Sequence, residues 1–196
     1  TKDILAAGRI AAALAERGVA VLRFDFTGLG ASDGDFANTN FTSNVEDLVR
    51  AADFLREHYR APEILIGHSL GGAAIIAAAG RIPAAKLVAT IGAPADPTHV
   101  TRHFSGALDE IEKKGEAEVT LVGRPFRIRR QFLEDVAAHR LSDHLAQLHR
   151  ALMIFHAPQD EIVGLDNARK IYDAARHPKS FVTVSYTHLR AHETKA

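Results

Sequence analysis

Apolar and polar positions along the chain alternate between two periods. Over residues 3–17, Ile4, Leu5, Ile10, Ala11, Leu14 and Ala15 recur at helical spacing and Gly18 follows, so the chain opens on a helix. Residues 19–26 (VAVLRFDF) are then apolar at most positions, which predicts a buried strand, and residues 27–34 (TGLGASDG) form the loop beyond its C-terminal end. Ser43-Asn44-Val45-Glu46 reads as a capping box opening a second helix, with Val45, Leu48, Val49, Ala52 and Leu55 as one apolar stripe that ends near Tyr59. After Pro62 comes the run Glu63-Ile64-Leu65-Ile66, which breaks at Gly67-His68-Ser69-Leu70-Gly71 into an alanine-rich helix. Residues 86–94 and 150–157 read as two further strands, 166–176 as a helix, and 180–183 as the start of a fifth strand. Strands alternating with helices predict an α/β fold, a mostly parallel sheet covered by helices on both faces, with ligands at the C-terminal ends of the strands.

Residues 95–149 interrupt this alternation and are too long for a simple crossover. They predict a helix around 107–114, a hairpin in which 118–122 and 125–128 flank Gly123-Arg124, and two helical stretches over 130–139 and 141–149. An insertion at the C-terminal end of a parallel sheet is the usual place for a lid that shapes a substrate pocket.

Composition narrows the function classes. At 196 residues, with 46% hydrophobic and 24% charged positions, the chain has the make-up of an ordinary globular domain. Lys and Arg together number 24, as do Asp and Glu, which leaves no electrostatic footprint for nucleic acid or an anionic membrane. The sequence contains no cysteine, so disulfides and thiolate metal sites are excluded and a reducing compartment suits it. No stretch approaches the roughly 18 consecutive apolar residues of a membrane span.

The chemistry centres on Ser69. A hydroxyl raised on a sharp strand-to-helix bend needs small flanking residues, and Gly67 and Gly71 stand two before and two after it. The bend also aims the unpaired N–H groups and positive end of the following helix beside the hydroxyl, so the Leu70 N–H is the expected oxyanion donor. Serine becomes nucleophilic when a histidine accepts its proton, and a carboxylate orients that histidine. Asp160, on the loop past the strand at 150–157, is the expected acid; Asp96, after the strand at 86–94, competes with it, and Glu161 is directed elsewhere. No cofactor or metal is required, and the substrate is a small molecule. Gly28 and Gly30 offer part of a dinucleotide fingerprint, but Asp33 occupies its third glycine slot and no helix follows directly. His139, His144 and His149 recur at spacings of five, which do not share a helix face for a metal, and His68 is expected to pack or line the pocket.

Taken in order, Gly28-x-Gly30-x-Ser32 after a strand, the Gly67–Gly71 bend and His156-x-Pro158-x-Asp160-x-x-Val163 resemble a serine α/β-hydrolase. The longer phrases RFDFTGLGASDGDFANTNF, GHSLGGAA, ATIGAPADP and GRPFRIRRQFLEDV resemble, more narrowly, the hydrolase half of bacterial proteins that fuse this domain to an OsmC-like domain. The resemblance spans residues 1–183. It implies an N-terminal hydrolase domain of a longer cytoplasmic protein, a strand and loop before Thr1 that carry a second oxyanion donor, and a loop Asp-His with a final helix at the C-terminal end.

The end of the chain departs from that pattern. Residues 184–196 resemble the in-frame translation of a transposase adapter used in DNA library preparation, and are expected to be an artefactual tail. His188 falls within about one residue of the position where the resemblance puts the catalytic base; it is a stand-in for that base, and His192 is a weaker one. The reading is therefore a hydrolase that cleaves an ester or small amide through an acyl-enzyme. The alternative from another class is a binding domain that keeps the fold for docking or for delivering a ligand to a fused partner.

Overall fold

The computed structural model describes residues 2–121 and 124–185. In chain order its elements are α1 (Leu5–Ala15), α2 (Phe41–His58), β1 (Ile64–His68), α3 (Leu70–Ala78), β2 (Leu87–Ile91), 3-10 turns over Pro97–Ala107, α4 (Leu108–Lys114), β3 (Glu116–Leu121), β4 (Arg124–Arg129), α5 (Arg130–Ala138), α6 (Leu141–Ala146), β5 (Ala151–His156), α7 (Asp166–Ala174) and β6 (Lys179–Thr183). Four strands form one parallel sheet in the order β1-β2-β5-β6, and β3 and β4 form a separate antiparallel pair.

Register explains where the core lies. Leu65, Val88 and Leu152 stand side by side across the first three strands, and Gly67, Thr90 and Ile154 form the next row on the same face. All six are buried, and α3 lies against β1 and β2 beneath this face. Seven consecutive residues of α3, from Gly72 to Ala78, are buried, so this helix is apolar all round because it is enclosed all round. The opposite face of β1 is open: Ile64 and Ile66 are exposed.

The α/β architecture with its mostly parallel sheet is as the pattern predicts, but residues 19–26 do not form the expected buried strand. Val21 and Leu22 are exposed and, among the described residues, no ladder bonds join this segment to a neighbour. A strand exists only through its partner, and apolar run-length reports propensity rather than pairing. Likewise α1 forms but buries no side chain fully.

Two boundaries also shift. The capping box of α2 is Asn40 with Ser43 rather than Ser43 with Glu46: the Ser43 N–H donates to Asn40 Oδ1 at 2.8 Å and the Asn40 N–H to Ser43 Oγ at 2.9 Å. Starting the helix at Phe41 buries that ring completely. In the hairpin, Arg124 pairs with Leu121 and so belongs to a strand, not to the turn; Val122 and Gly123 lie outside the described residues.

The insertion joins the main core. Phe104, Ile111, Val119, Ile128, Phe132, Val136, Leu141 and Leu145 are buried and continuous with Phe41, Ile75 and Leu152. Its helix α5 is fastened to the start of α2. The Asn40 amide donates to Gln131 Oε1 at 2.7 Å, Gln131 donates to the Thr39 carbonyl at 2.9 Å, and Asp135 accepts the N–H and the hydroxyl of Thr42.

Candidate functional site

Ser69 follows the last residue of β1 and occupies the N-cap of α3 with φ 52° and ψ −128°. Positive φ in a serine costs on the order of 1–3 kcal/mol and persists only where the surroundings impose it. Serine at an N-cap ordinarily bonds the helix's free N–H groups through its hydroxyl; here it makes no such bond. The bend is held by the backbone instead, with the Ser69 N–H donating to the Ile91 carbonyl at 2.9 Å and the Gly72 N–H to the Ser69 carbonyl at 2.8 Å. Ser69 is half-buried, at the C-terminal edge of the sheet. Leu70, the first residue of α3, has no carbonyl four residues back within the helix for its N–H.

The close approach of strand and helix depends on a different glycine pair from the one the spacing suggests. A Cβ on Gly67 would lie 2.4 Å from the Gly71 carbonyl oxygen, and one on Gly72 would lie 2.6 Å from the Ala93 Cβ. A Cβ on Gly71 would meet nothing within 4 Å. Gly71 therefore contributes its backbone to the approach, and Gly72 is the second position where a side chain is excluded.

Asp160 is set on the loop after β5. Its Oδ1 accepts the N–H groups of Ile162 and Val163, both at 3.0 Å, and its own N–H donates to the Ala157 carbonyl at 3.1 Å. The other oxygen, Oδ2, lies 3.9 Å from His156 Nε2. It also lies 3.3 Å from where a Cβ on Gly92 would stand, and Gly92 has φ +54°. Because Gly92 directly follows Ile91, the corner of chain that receives the Ser69 N–H is the one against which the Asp160 carboxylate rests. The structure thus brings Ser69 and Asp160 to the same edge of the sheet, two strands apart.

The competing residues have other duties. Asp96 is exposed and caps the 3-10 turns, accepting the N–H of Thr98 at 2.8 Å and its hydroxyl at 2.7 Å. Glu161 is exposed, and so is His68 at the end of β1. His139 contacts Thr42 Oγ1 at 2.9 Å and Asp135 at 3.8 Å, and stacks edge-on against Phe41. Among the described residues no cluster of His, Asp and Glu is arranged to hold a metal ion. His188 and His192 lie outside the described residues.

The Gly28–Gly30 loop folds around a buried carboxylate, Asp25, that sequence reasoning passed over. Asp25 is 5% exposed and takes the N–H groups of Ala31 and Lys2 and the Lys2 ammonium, while Ser32 donates to its backbone carbonyl. Burial works to raise the Asp25 pKa; those N–H groups and the ammonium outweigh it and hold the carboxyl lowered to about 2. Gly30 has positive φ, and a Cβ there would lie 2.1 Å from Asp25 Oδ2. A donor that a phosphate loop would offer to a ligand, the Ala31 N–H, is thus already taken by an internal anion. The available signal was an aspartate in a mostly apolar segment, three residues before a Gly-x-Gly.

The profile of the alpha/beta hydrolase family matches residues 4–186. The chain belongs to that family. It is 32% identical over 170 residues to the palmitoyl-protein thioesterase ABHD10, mitochondrial, of Mus musculus, a match covering 82% of this chain and 55% of the relative. The chain thus spans about half the length of the curated relatives it matches. Among solved structures, the esterase domain of a Rhodothermus marinus protein is 50% identical, with a TM-score of 0.71 over 93% of this chain and 71% of that one. The mouse alpha/beta hydrolase domain-containing protein 10 is 25% identical, with a TM-score of 0.72 over 93% of this chain and 75% of that one. All three carry hydrolase names, and among the described residues no helix is long and apolar enough to cross a membrane.

Proposed function

We propose that the chain is a serine hydrolase that cleaves small-molecule esters or small amides by acyl transfer. The observation that carries the reading is the serine at φ 52° at the N-cap of α3, at the same sheet edge as an oriented aspartate. In the reaction, Ser69 Oγ bonds to the substrate carbonyl carbon as its proton passes to a histidine, and the Leu70 N–H receives the negative oxygen. The leaving group departs with that proton, and water then cleaves the acyl-enzyme by the same route in reverse. Asp160 steadies the histidine through Oδ2, since Oδ1 is committed to backbone N–H groups. His188 lies outside the described residues and is assigned no step. The insertion over residues 95–149 shapes the acyl pocket as a lid.

The names of the relatives, an esterase domain and a palmitoyl-protein thioesterase, support carbonyl acyl transfer as the reaction class and bring thioesters within reach of the same chemistry. The resemblance of the longer sequence phrases supports an OsmC-like domain fused downstream and a cytoplasmic setting. A fluorophosphonate probe applied to the full-length gene product tests the reading. Labelling that disappears in Ser69→Ala supports it; an unlabelled, folded protein overturns it and leaves the binding domain.

A further inference from the structure

Along β5 the buried positions alternate as Leu152, Ile154 and His156. The third of an apolar series is thus an imidazole, completely enclosed. Its Nε2 faces the Val163 carbonyl at 2.7 Å, so that nitrogen carries the hydrogen and donates it. Among the described residues Nδ1 has no partner. Leaving such an acceptor unpaired in the interior costs on the order of 1–3 kcal/mol, which an isoleucine would not incur. What the ring gives in return is on its other side.

Val163 is the residue through which Asp160 is held. Its N–H donates to Asp160 Oδ1 and its carbonyl receives the imidazole, so the His156 bond closes the loop of residues 157–162 around the carboxylate. With Val163 fixed, Oδ1 is fixed; Oδ2 is left facing the Gly92 corner, 3.9 Å from His156 Nε2. We propose that His156 is a positioning residue for Asp160. It touches no reacting atom and acts by clamping Val163, which sets the rotation of the Asp160 carboxylate toward the base. The assignment of Asp160 as the acid rests on the proposed hydrolase reading; the clamp itself does not.

The test uses the full-length gene product with p-nitrophenyl butyrate as probe and Ser69→Ala as control. His156→Leu keeps an apolar fill without a donor, His156→Asn carries a donor too short to reach Val163, and His156→Gln carries one that reaches. Expected are a fall in kcat of about tenfold or more for His156→Leu and His156→Asn with KM changed less than about twofold, and recovery to within about threefold in His156→Gln. Hydrogen exchange at the Ile162 and Val163 amides is expected to quicken about tenfold in the first two variants, with the Val88 and Leu152 amides unchanged. If His156→Leu does not fold, the comparison of His156→Asn with His156→Gln decides. Equal kcat and equal exchange at Ile162 and Val163 in folded variants overturns the proposal. A parent without Ser69-dependent turnover overturns the hydrolase reading instead, and the exchange comparison alone then judges the clamp.

Discussion

The Ser69 N–H donates to the Ile91 carbonyl at 2.9 Å, tying the strained bend to the end of the neighbouring strand. The next residue, Gly92, sits beneath the Asp160 carboxylate in a left-handed conformation. A methyl group at Gly92 would add backbone strain of about 1–2 kcal/mol and press on Oδ2 from 3.3 Å. Gly92→Ala is expected to lower stability in urea by about that amount and to slow fluorophosphonate labelling of Ser69 further than the lost stability explains.

Ser69 itself pays a conformational cost that glycine would escape. Ser69→Gly is expected to abolish labelling while raising unfolding free energy by roughly 1 kcal/mol over Ser69→Ala, because alanine keeps the Cβ that positive φ disfavours. Denaturant titration of the two variants side by side measures the difference.

Adjacent glycines in α3 should behave oppositely. Gly71→Ala meets open space and replaces glycine within a helix, so a gain of up to about 1 kcal/mol is expected. Gly72→Ala collides with Ala93 and is expected to lose about 1–3 kcal/mol. Thermal unfolding of both variants checks the contrast, and equal effects would contradict the packing described.

Asp25 predicts an acid-sensitive loop. Its carboxyl is lowered to about 2 in the folded chain against about 4 when unfolded, so it stabilises the fold above the unfolded value. That contribution fades as pH falls from about 4 through about 2. Asp25→Asn is expected to be less stable than the parent at neutral pH, with the gap closing across that window; urea unfolding at stepped pH reads it.

The fastening of α5 to α2 should govern how readily the insertion opens. Asp135→Ala removes the acceptor for both the N–H and the hydroxyl of Thr42 near the start of α2, worth about 1 kcal/mol or more. Limited proteolysis within residues 95–149 is expected to accelerate in Asp135→Ala and in Gln131→Ala, with the β2 and β5 ladders still protected.

What could be read without coordinates was whatever a short window contains. Strand, bend and helix around Ser69 occupy one unbroken stretch, Ile64 to Ala78, and the apolar run, the small residues and the alanine-rich stretch are all local signals. The alternation of strands and helices likewise fixed the parallel sheet, and with it the edge at which Ser69 and Asp160 both stand. Tertiary structure decided whatever depends on a partner elsewhere in the chain. Residues 19–26 carry a strand's pattern yet form no ladder with a described neighbour. Gly72 rather than Gly71 excludes a side chain because Ala93 stands opposite, Asp25 is buried because Lys2 and Ala31 converge on it, and His156 clamps a loop because that loop folds back on the strand. Periodicity records what a residue prefers; contact between distant segments determines what it does, and that follows only once the chain has closed upon itself.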